Sequence, residues 1–158
     1  MNSIGFSKEE EKRVLELGQM AFNFARNDEC ENLKIMIKTG LNVNLKTHKG
    51  DTLLMLAAYH NSLKTAAMLL ENGARVDEKN DRGQTPLAGV CFKGYIDMAK
   101  LLIENGANID ENNGLGMTPF AFAVMFRRKE LVEYLLQCSN KSFMKSLSYR
   151  ILNLFKTH

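Results

Sequence analysis

The sequence predicts an all-α solenoid of stacked helix-turn-helix units, and three ladders of residues predict it. Gly50, Gly83 and Gly116 recur at a spacing of 33, as do Thr52, Thr85 and Thr118, and Gly40, Gly73 and Gly106. A unit of that length holds a β-turn and two antiparallel helices. Such a unit cannot bury its apolar face alone, so neighbours stack and share a core. A stack of this kind points to binding rather than turnover.

The elements follow in chain order. Ser7-Lys8-Glu9-Glu10 is a capping-box pattern. A helix is expected from there to about Ala25, with Val14, Leu17, Ala21 and Phe24 along one face. The first unit is degenerate: Leu33 to Asn44 supplies a second helix and a returning loop, but its first helix lacks a Thr-Pro start, as in a terminal unit. In the regular units Thr52, Thr85 and Thr118 stand where a hydroxyl accepts from an orphan helix N–H. Pro86 and Pro119 follow at the first helical position, where a missing N–H costs nothing. Ala57, Ala58, Gly89 and Ala123 are small enough for inner helices to pack closely. Asn72-Gly73 and Asn105-Gly106 end the second helices, where glycine takes the left-handed conformation. Val76 and Ile109 are expected to anchor the returning loops. One domain results: 1–46 as an N-terminal capping helix and degenerate unit, then units at 47–79, 80–112 and 113–139, and a C-terminal capping helix over 140–158.

Two stretches carry a family resemblance. Gly83-Gln84-Thr85-Pro86-Leu87-Ala88-Gly89-Val90-Cys91 and Leu101-Leu102-Ile103-Glu104-Asn105-Gly106-Ala107-Asn108-Ile109-Asp110, with their counterparts 33 residues either side, resemble the ankyrin repeat G-x-T-P-L-H-x-A-A … L-L-L-x-x-G-A-x-V-N. The resemblance covers roughly residues 20–139. It implies four repeats with hairpin-like loops and a non-catalytic role in protein–protein interaction. The family's histidine after Thr-Pro-Leu is replaced by Met55, Ala88 or Ala121. The stack is therefore expected to rely more on apolar packing and to be of modest stability.

Composition excludes several function classes. The net charge of +3 comes largely from the last 19 residues, where Lys141, Lys145, Arg150 and Lys156 face no acid. No basic stripe follows the repeats, so nucleic acid is not an expected partner. Met144, Leu147, Ile151 and Leu154 recur at helical spacing in that tail. It reads as a capping helix over the last repeat in preference to a membrane or docking helix, being short and without Trp. Met1 to Lys12 is polar, so no secretion signal is expected, and no apolar run is long enough to span a membrane. Cys30, Cys91 and Cys138 are odd in number and far apart, which fits a reducing cytoplasm. His48, His60 and His158 have no metal-ligand spacing. No phosphate loop, dinucleotide fingerprint or nucleophile elbow occurs, so no enzyme activity is expected. Caps at both ends favour a monomer over open-ended polymers.

In ankyrin stacks the concave face is made of the turn tips and the solvent side of the first helices. The matching positions here are Arg26-Asn27, Tyr59-His60, Phe92-Lys93 and Met125-Phe126. Tyr59, Phe92 and Met125 fall in register, with Phe126 beside them. Grouped apolar residues of this kind mark interaction sites, and large aromatics dominate interface hot spots. Tyr59, Phe92, Met125 and Phe126 are thus candidate anchors, and Arg26, His60 and Lys93 candidate polar contacts. The tips His48-Lys49, Asp81-Arg82 and Gly114-Leu115 are mixed in charge and favour neither an acidic nor a basic partner. In length and in the segment Leu56-Ala57-Ala58-Tyr59-His60 the chain is also similar to small bacterial ankyrin proteins, some of them associated with catalase. That resemblance implies an alternative role in haem supply to a catalase. Tyr59 would be the haem ligand, with Phe92 and Met125 as apolar wall and Lys93 or Arg26 near the propionates.

Overall fold

The computed structural model describes residues 5–139. Its helices are α1 (Lys8–Arg26), α2 (Cys30–Lys38), α3 (Leu53–Tyr59), α4 (Leu63–Glu71), α5 (Pro86–Lys93), α6 (Ile96–Glu104) and α7 (Pro119–Met125), followed by α8 over 129–139. The C-terminal helix expected over 140–158 lies outside the described residues.

The odd helices α1, α3, α5 and α7 pack side by side as an inner layer, and α2, α4 and α6 form an outer layer behind them. The core runs unbroken between the layers, from Ala21, Ala25 and Leu33 through Leu54, Ala57, Leu69, Leu87, Val90 and Leu102 to Ala123, Leu131 and Leu135. Local chemistry starts each regular inner helix alike. Thr52, Thr85 and Thr118 hydroxyls accept from the amides of Met55, Ala88 and Ala121 at 3.1, 3.3 and 3.2 Å. Pro86 and Pro119 occupy the first helical position. Behind the caps, Met55 and Ala88 are buried, so apolar contact fills the place of the family's histidine.

Each repeat after the first projects a finger-like turn closed by one backbone bond in the same register: Thr47 N–H to Asp51 O at 2.9 Å, Asn80 to Gln84 at 3.1 Å and Asn113 to Met117 at 3.2 Å. The first finger adds an antiparallel bridge between Lys46 and Thr52. No strand occurs among the described residues. The glycine ladder has two causes. Gly50, Gly83 and Gly116 all have positive φ, at 75°, 71° and 80°. At Gly83 a Cβ would also stand 2.6 Å from the Asn113 carbonyl oxygen of the next finger, whereas at Gly116 it would meet nothing within 4 Å.

Further ladders join the repeats, and residue types hide them. Arg75 N–H donates to Asn44 Oδ1 at 2.9 Å, and one period on Asn108 N–H donates to Asp77 Oδ1 at 3.1 Å. Lys46 pairs with Glu78, and one period on Lys79 pairs with Glu111 at 2.6 Å. Asp28, Asn61, Gly94 and Arg127, also 33 apart, all take positive φ between the two helices of their repeat.

The first repeat departs from expectation. The capping box at Ser7 forms, with Glu10 N–H donating to the Ser7 hydroxyl and the Glu10 carboxylate accepting from Ser7 N–H at 2.7 Å. However, Val14 and Leu17, placed on the buried face by periodicity, are 58% and 50% exposed, and only Ala21 and Ala25 are fully buried. The reason is length. At 1.5 Å per residue α1 runs about 28 Å beside an α3 of about 10 Å, so among the described residues its N-terminal half has no facing helix.

Candidate functional site

The C-terminal ends of the inner helices bring three rings into one array. Tyr59 closes α3, Phe92 lies one residue before the end of α5, and Phe126 caps α7. Tyr59 and Phe92 are nearly parallel, 6° apart with centroids 6.3 Å apart. Phe92 meets Phe126 edge-to-face at 4.5 Å. Both distances suit favourable aromatic pairing. Register alone would continue the array through Met125, but the ring against Phe92 belongs to Phe126, and Met125 points to solvent at 55% exposure. Arg128 clamps the array from behind: its Nε–H donates to the Phe92 carbonyl at 3.0 Å.

Below the rings lies a groove of about 490 Å³. Arg26, Tyr59, His60, Phe92 and Phe126 line it, together with Met55, Pro86 and Phe122 from the inner helices and Arg82 and Gln84 from the fingers. Lys93 and Met125 do not. The Lys93 ammonium instead sits 5.0 Å from the Tyr59 ring centroid, a distance suited to cation–π attraction. One ladder changes residue type in the groove lining. Leu56, Gly89 and Phe122 are equivalent by the 33-residue period, and the missing side chain at Gly89 leaves space into which Tyr59 leans. A Cβ there would stand 3.3 Å from Tyr59 Cδ2.

Polar groups at the rim are fixed by named partners. His60 Nδ1 lies 2.9 Å from the Leu56 carbonyl oxygen. A carbonyl only accepts, so Nδ1 carries a proton and donates it. Asp51, the one carboxylate lining the groove, accepts from Asn80 Nδ2 at 2.8 Å. A second, smaller hollow of about 220 Å³ adjoins it, sharing Arg26 and Asp51 and adding Thr47, His48 and Lys49.

Arg82, named from sequence as a finger tip, lines the groove; sequence reasoning missed Met55, Gln84, Pro86 and Phe122 as groove residues. The signal lay in the same period: they occupy finger and inner-helix positions next to those singled out. Elsewhere the titratable groups are structural. Burial pushes the Cys91 thiol up to about 12, and burial first, then the nearby Glu31 charge, raises that of Cys30; neither is suited to act as a thiolate. Among the described residues no three His, Cys, Asp or Glu side chains gather as a metal group, and no helix is long and apolar enough to cross a membrane.

Comparison with known proteins agrees with the repeat fold. A family model described as ankyrin repeats (many copies) matches residues 54–103 and 88–136. A Pseudomonas aeruginosa protein named as an ankyrin repeat protein is 43% identical over 47 residues, 30% of this chain and 28% of that relative. The shared stretch thus spans under a third of the relative's length.

Proposed function

This chain belongs to the ankyrin-repeat family, and from that premise we propose that it is a non-catalytic recognition module that holds a protein partner in its concave groove. The observation that carries the reading is the ring array Tyr59–Phe92–Phe126, which crosses three repeats without a gap above an open groove. Tyr59 and Phe126 keep 41% and 38% of their surface exposed. Exposed, grouped aromatics rimmed by charge are what interface hot spots are made of. Their backbone is held by repeat packing and by Arg128, so little ordering is left for binding to offset.

The test is partner capture from native lysate with the wild type, the Tyr59→Ser/Phe92→Ser/Phe126→Ser variant and Gly89→Leu, each checked for helical content. Capture by the wild type alone is expected. The same partner on all three baits would remove the groove as the site.

A second reading is haem handling in support of a catalase, with Tyr59 as ligand. The Tyr59 ring opens onto the groove, Phe92, Phe122 and Phe126 supply an apolar wall, and Arg26 and Arg82 stand at the rim for propionates. Haem bound there would supply iron coordination at the phenol. Hemin titration tests it: a Soret band altered by Tyr59→Phe is expected, and no band, or one indifferent to that change, ends the reading.

A further inference from the structure

The chemistry of the groove says more about its occupant than the mixed charge of the finger tips does. Four cations surround it: Arg26 and Arg82 line the main groove, Lys49 joins Arg26 at the smaller hollow, and Lys93 sits over the Tyr59 ring. The ion pairs of the described residues use Lys12, Arg13, Lys46, Arg75, Lys79 and Lys129. None of the groove cations is among them. The single lining carboxylate, Asp51, is already engaged by Asn80. The linings of the two hollows thus hold Arg26, Arg82 and Lys49 against one carboxylate, Asp51, while the lysines of the returning loops are neutralised by glutamates of the next repeat.

Covering such a face has a physical consequence. Arg26 donates only to the neutral Asn23 amide oxygen, at 3.1 Å, so a neutral apolar partner would strip water from guanidinium groups that have no carboxylate partner among the described residues, which is costly. A carboxylate restores the lost hydrogen bonds, and arginine takes it through two parallel N–H bonds. Arg26 and Asp51 belong to both linings, so an extended occupant can reach both hollows. The apolar part of the lining, with Tyr59, Phe92, Phe122 and Phe126, suits one large apolar side chain.

We propose that the groove takes an extended acidic segment of a partner protein. An aromatic or long aliphatic side chain packs against Tyr59, Phe92 and Phe126, and flanking carboxylates reach Arg82, Arg26 and Lys49. This rests on the reading of the concave face as the binding site and adds the chemical class of the ligand.

The experiment pans a random dodecapeptide display library against the full chain at physiological salt. Recovered peptides are then measured by fluorescence anisotropy against three proteins: wild type, Arg26→Gln/Arg82→Gln, and Tyr59→Ser/Phe92→Ser/Phe126→Ser. Aspartate and glutamate flanking one large apolar residue are expected among the winners. Their affinity should fall roughly tenfold or more in the arginine variant, as for lost hydrogen bonds between charged groups, and should weaken as salt rises. Winners without acid enrichment, acidic winners indifferent to Arg26, Arg82 and salt, or no winners at all would overturn the proposal. So would oligo(dT) binding more tightly than the best peptide, which would assign the cations to phosphate. The two levels separate cleanly. Binding lost in the ring variant but kept in the arginine variant removes only the acidic class. Binding kept in the ring variant removes the concave site itself.

Discussion

Helices α1 and α3 hold equivalent places in the inner layer and are stabilised in opposite ways. In α3 six of seven residues are buried, and its one local device is the Thr52 cap. In α1 two of nineteen are buried. It carries its own support instead: a complete capping box, Glu9, Glu10 and Glu11 in the first turn, and the i,i+4 pairs Arg13–Glu9 and Lys12–Glu16. Acids at a helix N-terminus complement the macrodipole, and a helix of this length can gain from such local terms where a seven-residue one cannot. The difference teaches that repeat consensus is a consequence of having neighbours on both sides. Where only one side is covered, the consensus lapses and ordinary helix chemistry takes over.

The sharpest way to break that contrast is to delete the same side chain in both places. Leu53 is fully buried and Leu15 is 74% exposed. Leu53→Ala is expected to cost about 2–5 kcal/mol by lost transfer and a residual cavity. Leu15→Ala should change stability by no more than about 0.5 kcal/mol. Urea denaturation of the two variants measures both. An equal loss would mean that the outer face of α1 is covered in solution and that its independence is only apparent.

A second contrast lies along the fingers. Alanine at Gly116 meets only the strain of a left-handed residue, about 1–2 kcal/mol. Alanine at Gly83 meets the same strain and also the Asn113 carbonyl of the next finger. Gly83→Ala should therefore lower the thermal midpoint clearly more than Gly116→Ala. Equal midpoints would show that the fingers part easily, and that the glycine ladder reflects backbone conformation alone.

How much of this was legible depended on whether a position demands one residue type. Thr52, Thr85 and Thr118, or Gly50 and Gly83, can hardly be anything else, so their period stood out and fixed the repeats. The positive-φ ladder at Asp28, Asn61, Gly94 and Arg127 was invisible, because asparagine, aspartate and glycine all tolerate that conformation and arginine was simply forced into it. The ring array was legible as a register. Its third member was not, since which of Met125 and Phe126 turns inward depends on where α7 ends. The close approach of Tyr59 to Gly89 was hidden altogether, because a missing side chain reads in sequence only as tight helix packing.

The smallest effect expected concerns the loop pairs that distinguish the inner joints from the last one. Lys46 and Lys79 bond to Glu78 and Glu111, while the third position of that lysine ladder is Asn112. Hydrogen bonding from the paired lysine holds each of these carboxyls below the ordinary glutamate value. A depressed carboxylate pKa gives stability that is present above the ordinary value and lost as pH falls through the folded-state value. Asp77 acts against this slope, since burial raises its pKa and its protonated form is favoured in the fold. The pairs are exposed, so the net effect is small. In a Lys46→Met/Lys79→Met variant the thermal midpoint should lie slightly below wild type at neutral pH and converge with it at acid pH, where both glutamates are protonated. A gap that stays constant down the pH series would mean that the lysines act otherwise: through their apolar stems, or through the Lys79 bond to the Asn112 carbonyl at 2.9 Å. The inner joints would then be held by packing, as α3 is, and not by charge.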